Sequence, residues 1–404
     1  MSESVEGRGL VPKLRFSQFE GDWKLPLLGS LLTLEYGSPL PEAQRVAGQI
    51  PVVGSNGVVG SHSTKLIDGP AIVVGRKGSV GKVNWIEVDC YPIDTTFYVR
   101  LADSSTDLRF TFTLLQRSGI EMLRSESAVP GLSRDSVHSL SLPMPSIAEQ
   151  RKIAECLESL DELIAAETEK LEALKRYKKG LLQQLFPAEG ETTPRLRFPQ
   201  FRHAGDWTAS ALEQVCETSS GGTPLRSQTD YWNGDIPWIT TSLINGNRIV
   251  KAQEFITELA VSETSAKHFP TETIVIAMYG QGKTRGKVAV LGIPATTNQA
   301  CAAILPNEGI SSQFLFFQLF NGYERLRSLS NSGGQDNLSQ TLISQFEVAL
   351  PPDKEEQLTI ASVLDNAAVI STHQEIVVAR LRAHKAALMQ QLFPSLEEVD
   401  TPTE

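Results

Sequence analysis

"EQRKIAECLESLDELIAAETEKLEALKRYKKGLLQQLFP" (Glu149 to Pro187) returns without a gap as "EQLTIASVLDNAAVISTHQEIVVARLRAHKAALMQQLFP" (Glu356 to Pro394), at a constant offset of 207. In the first copy apolar residues recur at spacings of three and four: Ile153, Leu157, Leu160, Ile164, Leu171, Leu174, Leu181 and Leu185. That is the seam of a coiled coil. The same offset lands on Ile360, Leu364, Ala367, Ser371, Val378, Leu381, Leu388 and Leu392, a repeat of the seam with a weaker middle. The polar interruptions Glu167 and Lys178 recur as Gln374 and Lys385, and polar seam residues fix register at some cost in stability. Two amphipathic helices, each packed on its own domain, are the other reading of this pattern. Length favours a rod, because about 39 residues at ~1.5 Å each make ~58 Å, longer than a small domain is wide.

A second repeat opens each half of the chain. "PKLRFSQFEGDW" (Pro12 to Trp23) matches "PRLRFPQFRHAGDW" (Pro194 to Trp207), with an offset of 184 at the tryptophans. The growth of the offset places 23 extra residues in the middle of the second copy. Each middle reads as a small mixed α/β or mainly β domain. "AIVVG" (Ala71 to Gly75), "TIVIAM" (Thr273 to Met278) and "KVAVLG" (Lys287 to Gly292) are short and β-branched, with glycine at or near their ends, as strands are. Fainter parallels join "GRKGSVGKV" (Gly75 to Val83) to "YGQGKTRGKV" (Tyr279 to Val288), and "GLSRDSV" (Gly131 to Val137) to "DNLSQTLI" (Asp336 to Ile343).

A chain of 404 residues accommodates two or three domains with cores. No apolar run approaches ~20 residues, and the N-terminus lacks the apolar stretch of a signal peptide, so a cytoplasmic protein is expected. Cys90, Cys156, Cys216 and Cys301 stand far apart, without metal spacing, and read as free thiols with neither disulfide nor zinc. The net charge of −10 divides as −1 over residues 1–145, −2 over 146–190, −2 over 191–350 and −5 over 351–404. The middles are close to neutral, and their basic residues gather in glycine loops: Arg76, Lys77 and Lys82 in one, Lys283, Arg285 and Lys287 in the other. A locally basic loop can touch phosphate on a chain that is negative as a whole.

The order of these pieces resembles the specificity subunit of a type I restriction-modification system. The resemblance rests on "RFPQFRHAGDW" and its first copy, "GGTPLRSQTDYWNGDIPW" (Gly221 to Trp238), the "GRKGSVGKV" loop, "TTNQACAA" (Thr296 to Ala303), "LPMPSIAEQRKIAECLESLD" (Leu142 to Asp161) and "QQLFP" written twice. It spans nearly the whole chain. The first copy departs from it, with "EYGSPLP" (Glu35 to Pro41) standing where the second has "SGGTPL".

The resemblance implies an α+β chain. Its parts are a target-recognition domain over 1–145, a long helix over 146–187, a second target-recognition domain over 188–350, a second helix over 351–394 and an acidic tail over 395–404. The helices pair antiparallel as a coiled coil, relating the two domains by a pseudo-two-fold axis. It further implies recognition of a two-part, asymmetric site on double-stranded DNA, with the helices setting half-site spacing. Two modification subunits would methylate adenine N6 with S-adenosylmethionine, and motor and nuclease subunits would use ATP and Mg. The specificity subunit itself would perform no chemistry and bind no cofactor.

The candidate DNA contacts are the basic loop residues named above with Ser79 and Gln281. Arg134 and Asn337, from the paired "GLSRDSV" and "DNLSQTLI" segments, join them. Asn298 and Gln299 suit adenine N6 and N7, Tyr279 could stack on a base, and Thr95 and Thr96 align loosely with Thr297 and Asn298. The plain alternative for each is an ordinary turn or core residue, and Trp232 and Trp238 read first as core. One motif points elsewhere. "AMYGQGKT" (Ala277 to Thr284) fits a relaxed phosphate-binding loop around Lys283, which requires a helix to follow; "RGKVAVLGIPATT" reads as a strand instead. A coiled-coil scaffold that binds no DNA is the remaining alternative.

Overall fold

In a computed structural model, residues 10–124, 130–280, 283–329 and 337–394 are described; the expected acidic tail lies outside them. They form two compact units, one of residues up to 168 together with those from 377 onward, the other of residues 169–376. Unit 1 runs α1 (Leu28–Leu31), β1 (Leu32–Tyr36), β2 (Ile50–Gly54), β3 (Gly57–His62), β4 (Ala71–Gly75), β5 (Val83–Ile86), β6 (Tyr91–Pro92), β7 (Thr96–Leu101), α2 (Leu108–Arg117), α3 (Arg134–His138) and the start of α4 (Ile147–Leu185). Unit 2 takes up the rest of α4. It continues through β8 (Thr208–Ala211), α5 (Leu212–Val215), β9 (Cys216–Ser220), β10 (Trp232–Ile239), β11 (Arg248–Ile249), β12 (Glu254–Ile256), α6 (Glu258–Glu263), β13 (Ile274–Ala277), β14 (Val288–Leu291), β15 (Thr296–Thr297) and β16 (Cys301–Pro306). Then come α7 (Ser312–Asn321), α8 (Tyr323–Ser328), α9 (Gln340–Ser344), β17 (Glu347–Leu350) and α10 (Lys354–Gln391), whose last part returns to unit 1.

The two units share one plan. Unit 1 holds a sheet ordered β1-β7-β4-β5, and unit 2 holds β11-β14-β13-β16-β9, the same four strands with β11 added. Each also holds a three-stranded sheet, β3-β2-β6 in one and β12-β10-β15 in the other, joining an antiparallel and a parallel pair. Strand β4 is buried along its whole length, as is β13, which suits their β-branched runs to central positions. In unit 1, Leu34, Ile72, Val74 and Phe97 pack against Phe110 and Leu114 of α2. In unit 2, Ile274, Ile276, Val288 and Ile304 pack against Phe314 and Phe317 of α7.

The duplicated motifs turn out to be the joints between these cores and the long helices. Arg15 donates through Nε and Nη2 to both oxygens of Glu149, at 2.8 Å each, and through Nη1 to Gly21 O. Arg197 repeats this on Glu356 at 2.8 and 2.7 Å, and on Gly205 O. Both glutamates are buried, at 1% and 0% exposure. The next residue in each copy serves the neighbouring helix. Gln150 Oε1 accepts from Asp107 N at 2.8 Å and Gln357 Oε1 accepts from Ser311 N at 2.9 Å. Asp107 and Ser311 are the N-caps of α2 and α7, their side chains accepting from Phe110 N and Phe314 N, so the "EQ" pair fixes where both helices of each unit begin.

The "QQLFP" ends are seated just as specifically. Gln391 O accepts from Leu14 N and Gln184 O from Leu196 N, both at 2.9 Å. Phe393 lies edge-on to Trp23 at 6.0 Å, and Phe186 lies edge-on to Trp207 at 6.3 Å. Thus α4 begins on the core of unit 1 and ends on that of unit 2, while α10 begins on unit 2 and ends on unit 1. Within each unit the helical stretches run antiparallel. In unit 1, Ile153 and Leu157 share the core with Leu388 and Leu392, and farther along α4 Asp161 pairs with Lys385. In unit 2, Leu182 and Leu185 share it with Ile360 and Leu364, and Lys175 meets Glu375 at 3.2 Å.

All the expected seam residues are buried or half-buried. The seam also passes through Ser371, whose hydroxyl bonds Ala367 O at 2.9 Å, and through buried Gln374. Burial holds the Lys178 ammonium below the usual lysine range, with Glu375 and Asp365 opposing the shift. All four cysteines are free thiols, and burial pushes Cys90 up to about 11.

Candidate nucleic-acid interface

The basic loops of the two units hang on one backbone frame. In unit 1, Gly75 N donates to Lys82 O and Gly81 N to Gly75 O, both at 2.8 Å. In unit 2, Ala277 N donates to Lys287 O at 2.9 Å and Gly286 N to Ala277 O at 2.8 Å. Gly81 and Gly286 have φ of +75° and +82°, the left-handed region that side chains disfavour. A Cβ on Gly81 would also fall 2.4 Å from the backbone of Glu121. The following lysines repeat as well: Lys82 Nζ lies 2.6 Å from Asn56 Oδ1, and Lys287 Nζ lies 2.7 Å from Asn245 Oδ1. Neither asparagine was visible as a partner in the sequence, since each lies more than twenty residues from its lysine.

The frame extends to both neighbouring segments. Arg76 N donates to Thr95 O and Leu132 N to Arg76 O; Met278 N donates to Ala300 O and Leu338 N to Met278 O. Ser133 and Ser339 then cap α3 and α9. The "GLSRDSV" and "DNLSQTLI" parallel is therefore a structural equivalence. The threonine alignment is not. Thr95 and Thr96 correspond to Ala300 and Cys301, because Thr96 and Cys301 open the equivalent strands β7 and β16 and their amides bond Ile93 O and Asn298 O. The pairing with Thr297 and Asn298 is therefore out of step by three residues.

In unit 1 the frame gathers Arg76, Lys77, Ser79, Lys82 and Arg134, with Lys77, Ser79, Lys82 and Arg134 exposed. The carbonyl of half-buried Thr95 is taken by Arg76 N, Lys77 N and the Ser55 hydroxyl. Thr96 is corrected outright: it is 0% exposed and its hydroxyl bonds Ile93 O at 2.7 Å, so it offers no surface to a ligand. In unit 2 the frame gathers Tyr279, Lys283, Arg285, Lys287, Asn298, Gln299 and Asn337. Tyr279 is 41% exposed, and Lys283 and Asn337 are exposed. Gln281 lies outside the described residues. Asn298 Oδ1 accepts from Ala300 N at 3.2 Å and from the Cys301 thiol at 3.1 Å, shaping its own turn. Gln299 bonds the Thr223 hydroxyl. Arg285 Nε is buried without a partner among the described residues.

The phosphate-loop alternative fails on its own requirement. The segment after Lys283 leads into β14, antiparallel to β13, with no helix between them among the described residues, so the lysine is not followed by the helix that such a loop needs. Of the two tryptophans read as core, Trp238 is 3% exposed and donates to Gly222 O at 3.0 Å. Trp232 is half-buried beneath Arg226, whose Cζ stands 3.8 Å from its ring centre.

A titrating group sits beside the unit 1 loop. His138 Nε2 accepts from Leu34 N at 3.0 Å, which a neutral ring can do and a protonated one cannot. Burial, and then the charge of Arg134, hold it below its ordinary value against Asp135 and Glu35. The unfolded chain therefore takes the proton first. Unit 1 should keep its full stability above about pH 6.5 and lose some as pH falls through that value. Melting followed between pH 7.5 and 5 should show a slope that His138→Gln flattens; equal slopes would remove His138 as its source.

Among the described residues no helix is long and apolar enough to cross a membrane. The family model for the type I restriction modification DNA specificity domain matches residues 20–176 and again 204–377. The MjaIX specificity subunit of Methanocaldococcus jannaschii is 34% identical over 39% of this chain and 37% of its own length. The EcoR124I/EcoR124II subunit of Escherichia coli is 26% identical over 65% and 64%, so the chain spans roughly one to two thirds of these relatives. The Escherichia coli EcoDI subunit is 26% identical over 85% and 80%. The crystal structure of a type I S subunit from M. genitalium superposes with a TM-score of 0.68 at 18% identity, covering 96% of this chain and all of that one. A further solved chain from the type I system gives 0.56 at 17% identity over 92% and 98%. With both halves matched, this chain belongs to the type I restriction-modification DNA specificity family.

Proposed function

We propose that the chain binds double-stranded DNA sequence-specifically, each unit reading one half of a two-part asymmetric site. The observation that carries this reading is the doubled loop frame. Identical backbone bonds hold a basic glycine loop in each unit, while the side chains displayed on it differ, as two readers of different half-sites require. On this reading α4 and α10 set the half-site spacing and dock two methyltransferase subunits, which bring the S-adenosylmethionine. Motor and nuclease subunits bring ATP and Mg, and the chain itself catalyses nothing and works in the cytoplasm. Exposed Val369, Ile370 and Ile376, off the seam of α10, support a partner on that helix.

The test is selection of bound sequences from a random duplex pool, with binding then measured against salt. A two-part consensus is expected from the full chain, alone or with a modification subunit. Lys283→Ala and Lys287→Ala should each weaken binding and lower the salt slope by about one unit, the signature of one lost phosphate contact. A pool without any consensus overturns the function; an unchanged slope in both variants removes this loop from the interface.

A further inference from the structure

Tyr36 ends β1 and is 52% exposed, yet its ring is seated on buried Phe97, centroids 4.9 Å apart. Two guanidinium groups lie over it. Arg76 Cζ stands 5.2 Å from its centre and Arg134 Cζ 5.7 Å. Their remaining bonds set them apart. Arg76 gives Nε and Nη2 to Asp94 O at 3.2 and 2.7 Å, so half of its fork is spent. Among the described residues the ion-pair partner of Arg134 is its own neighbour Asp135, at 3.9 Å, beyond hydrogen-bond distance, and its side chain is 43% exposed. Its backbone is nonetheless fixed, because it is the first residue of α3, two places after the Leu132 amide that bonds Arg76 O.

Unit 2 shows what the fold requires at these places. The same backbone frame puts Ser220 at the place of Tyr36, Met278 at that of Arg76 and Gln340 at that of Arg134. Gln340 turns to Thr218 O at 2.9 Å. The frame thus stands without the ring or either charge, and the unit 1 cluster answers to something other than folding.

We infer that Arg134 reads a guanine in the half-site of unit 1, with Tyr36 as the residue that positions it; this rests on the DNA-reading function proposed above. A guanidinium laid against an aromatic face keeps its plane and its donors. Guanine presents O6 and N7 in the major groove as the matching pair of acceptors, and a bidentate contact there discriminates against the other bases. The neighbouring Lys77 and Lys82 hold the phosphates that bring the base edge within reach.

The experiment uses the full chain and the random duplex pool. Arg134→Gln, which installs the residue that unit 2 uses, should cut the preference for guanine at one position of one half-site by about 5- to 100-fold. The other half-site should keep its sequence. Arg134→Lys keeps the charge without the fork and should lose the same preference, which covers the case in which the glutamine variant fails to fold. Tyr36→Ser should weaken that one position while Tyr36→Phe, which retains the face, leaves it intact. Three outcomes overturn the inference: an unaltered guanine preference in the Arg134 variants, equal weakening on all sequences with a salt slope lower by about one, or a Tyr36→Ser chain that still selects as well as the parent. In each of them a two-part consensus from the parent chain leaves the wider function standing, whereas its absence removes both.

Discussion

Glu356→Ala should lower the melting temperature of unit 2 by about 6 to 20 °C, since it leaves the Arg197 guanidinium, only 9% exposed, without its carboxylate. Removing one partner of a buried pair typically costs about 3 to 5 kcal/mol, and each kcal/mol moves a unit of this size by about 2 to 4 °C. The loss should concentrate at the start of α10, where Gln357 would also lose its hold on Ser311 N. Faster hydrogen exchange in residues 354–364 and 311–319, with the sheet of unit 1 unchanged, is the expected pattern. Because the penalty comes from a stranded charge and not from a missing attraction, Arg197→Met with Glu356→Leu should recover much of the loss. A single variant that melts with the parent chain would show that the clamp does not hold this helix.

The duplication made much of this legible. A gapless offset of 207 announced both long helices, and their seam residues are buried or half-buried in the structure. What the repeats were for was less visible. "RF-QF" and "GDW" lie far from the "EQ" that they serve, with Arg15 134 residues from Glu149 and Arg197 159 residues from Glu356. Such long-range pairs leave no periodic trace. The loops illustrate the same limit. Glycine and lysine spelling found both hairpins, but only backbone bonds show that Thr95 matches Ala300. The aromatic half of the unit 1 cluster escaped for the same reason: Tyr36, Arg76 and Arg134 come from three distant segments, and their pattern exists only in the folded chain.

The position of the compact units also differs from a division at the helix starts, and the reason lies in the "QQLFP" ends. Each places a leucine and a phenylalanine into the core of a unit that its helix did not begin on. Unit 1 is consequently completed by Leu392 and Phe393, far along the chain from its first strand at Leu32–Tyr36. Phe393 is 2% exposed, stacked on Phe110 with centroids 5.3 Å apart and edge-on to Trp23, and Arg117 Cζ stands 5.0 Å from its ring centre.

Phe393→Ala should therefore destabilise the N-terminal half of the sequence by about 3 to 5 kcal/mol, the usual cost of emptying a buried aromatic site. That cost includes both lost transfer energy and the cavity left beside Trp23 and Phe110. Tryptophan fluorescence supplies a direct readout, because Trp23 would gain water while Trp207, whose partner is Phe186, would not. Phe393→Leu refills most of the volume and should restore the larger part of the stability. Limited proteolysis should cut residues 24–145 of the alanine variant at temperatures where 208–350 stay intact. Equal protection of both segments would mean that the end of α10 rests on unit 1 without supporting it, and the core would then have to be closed by the "RF-QF" segment and α4 alone.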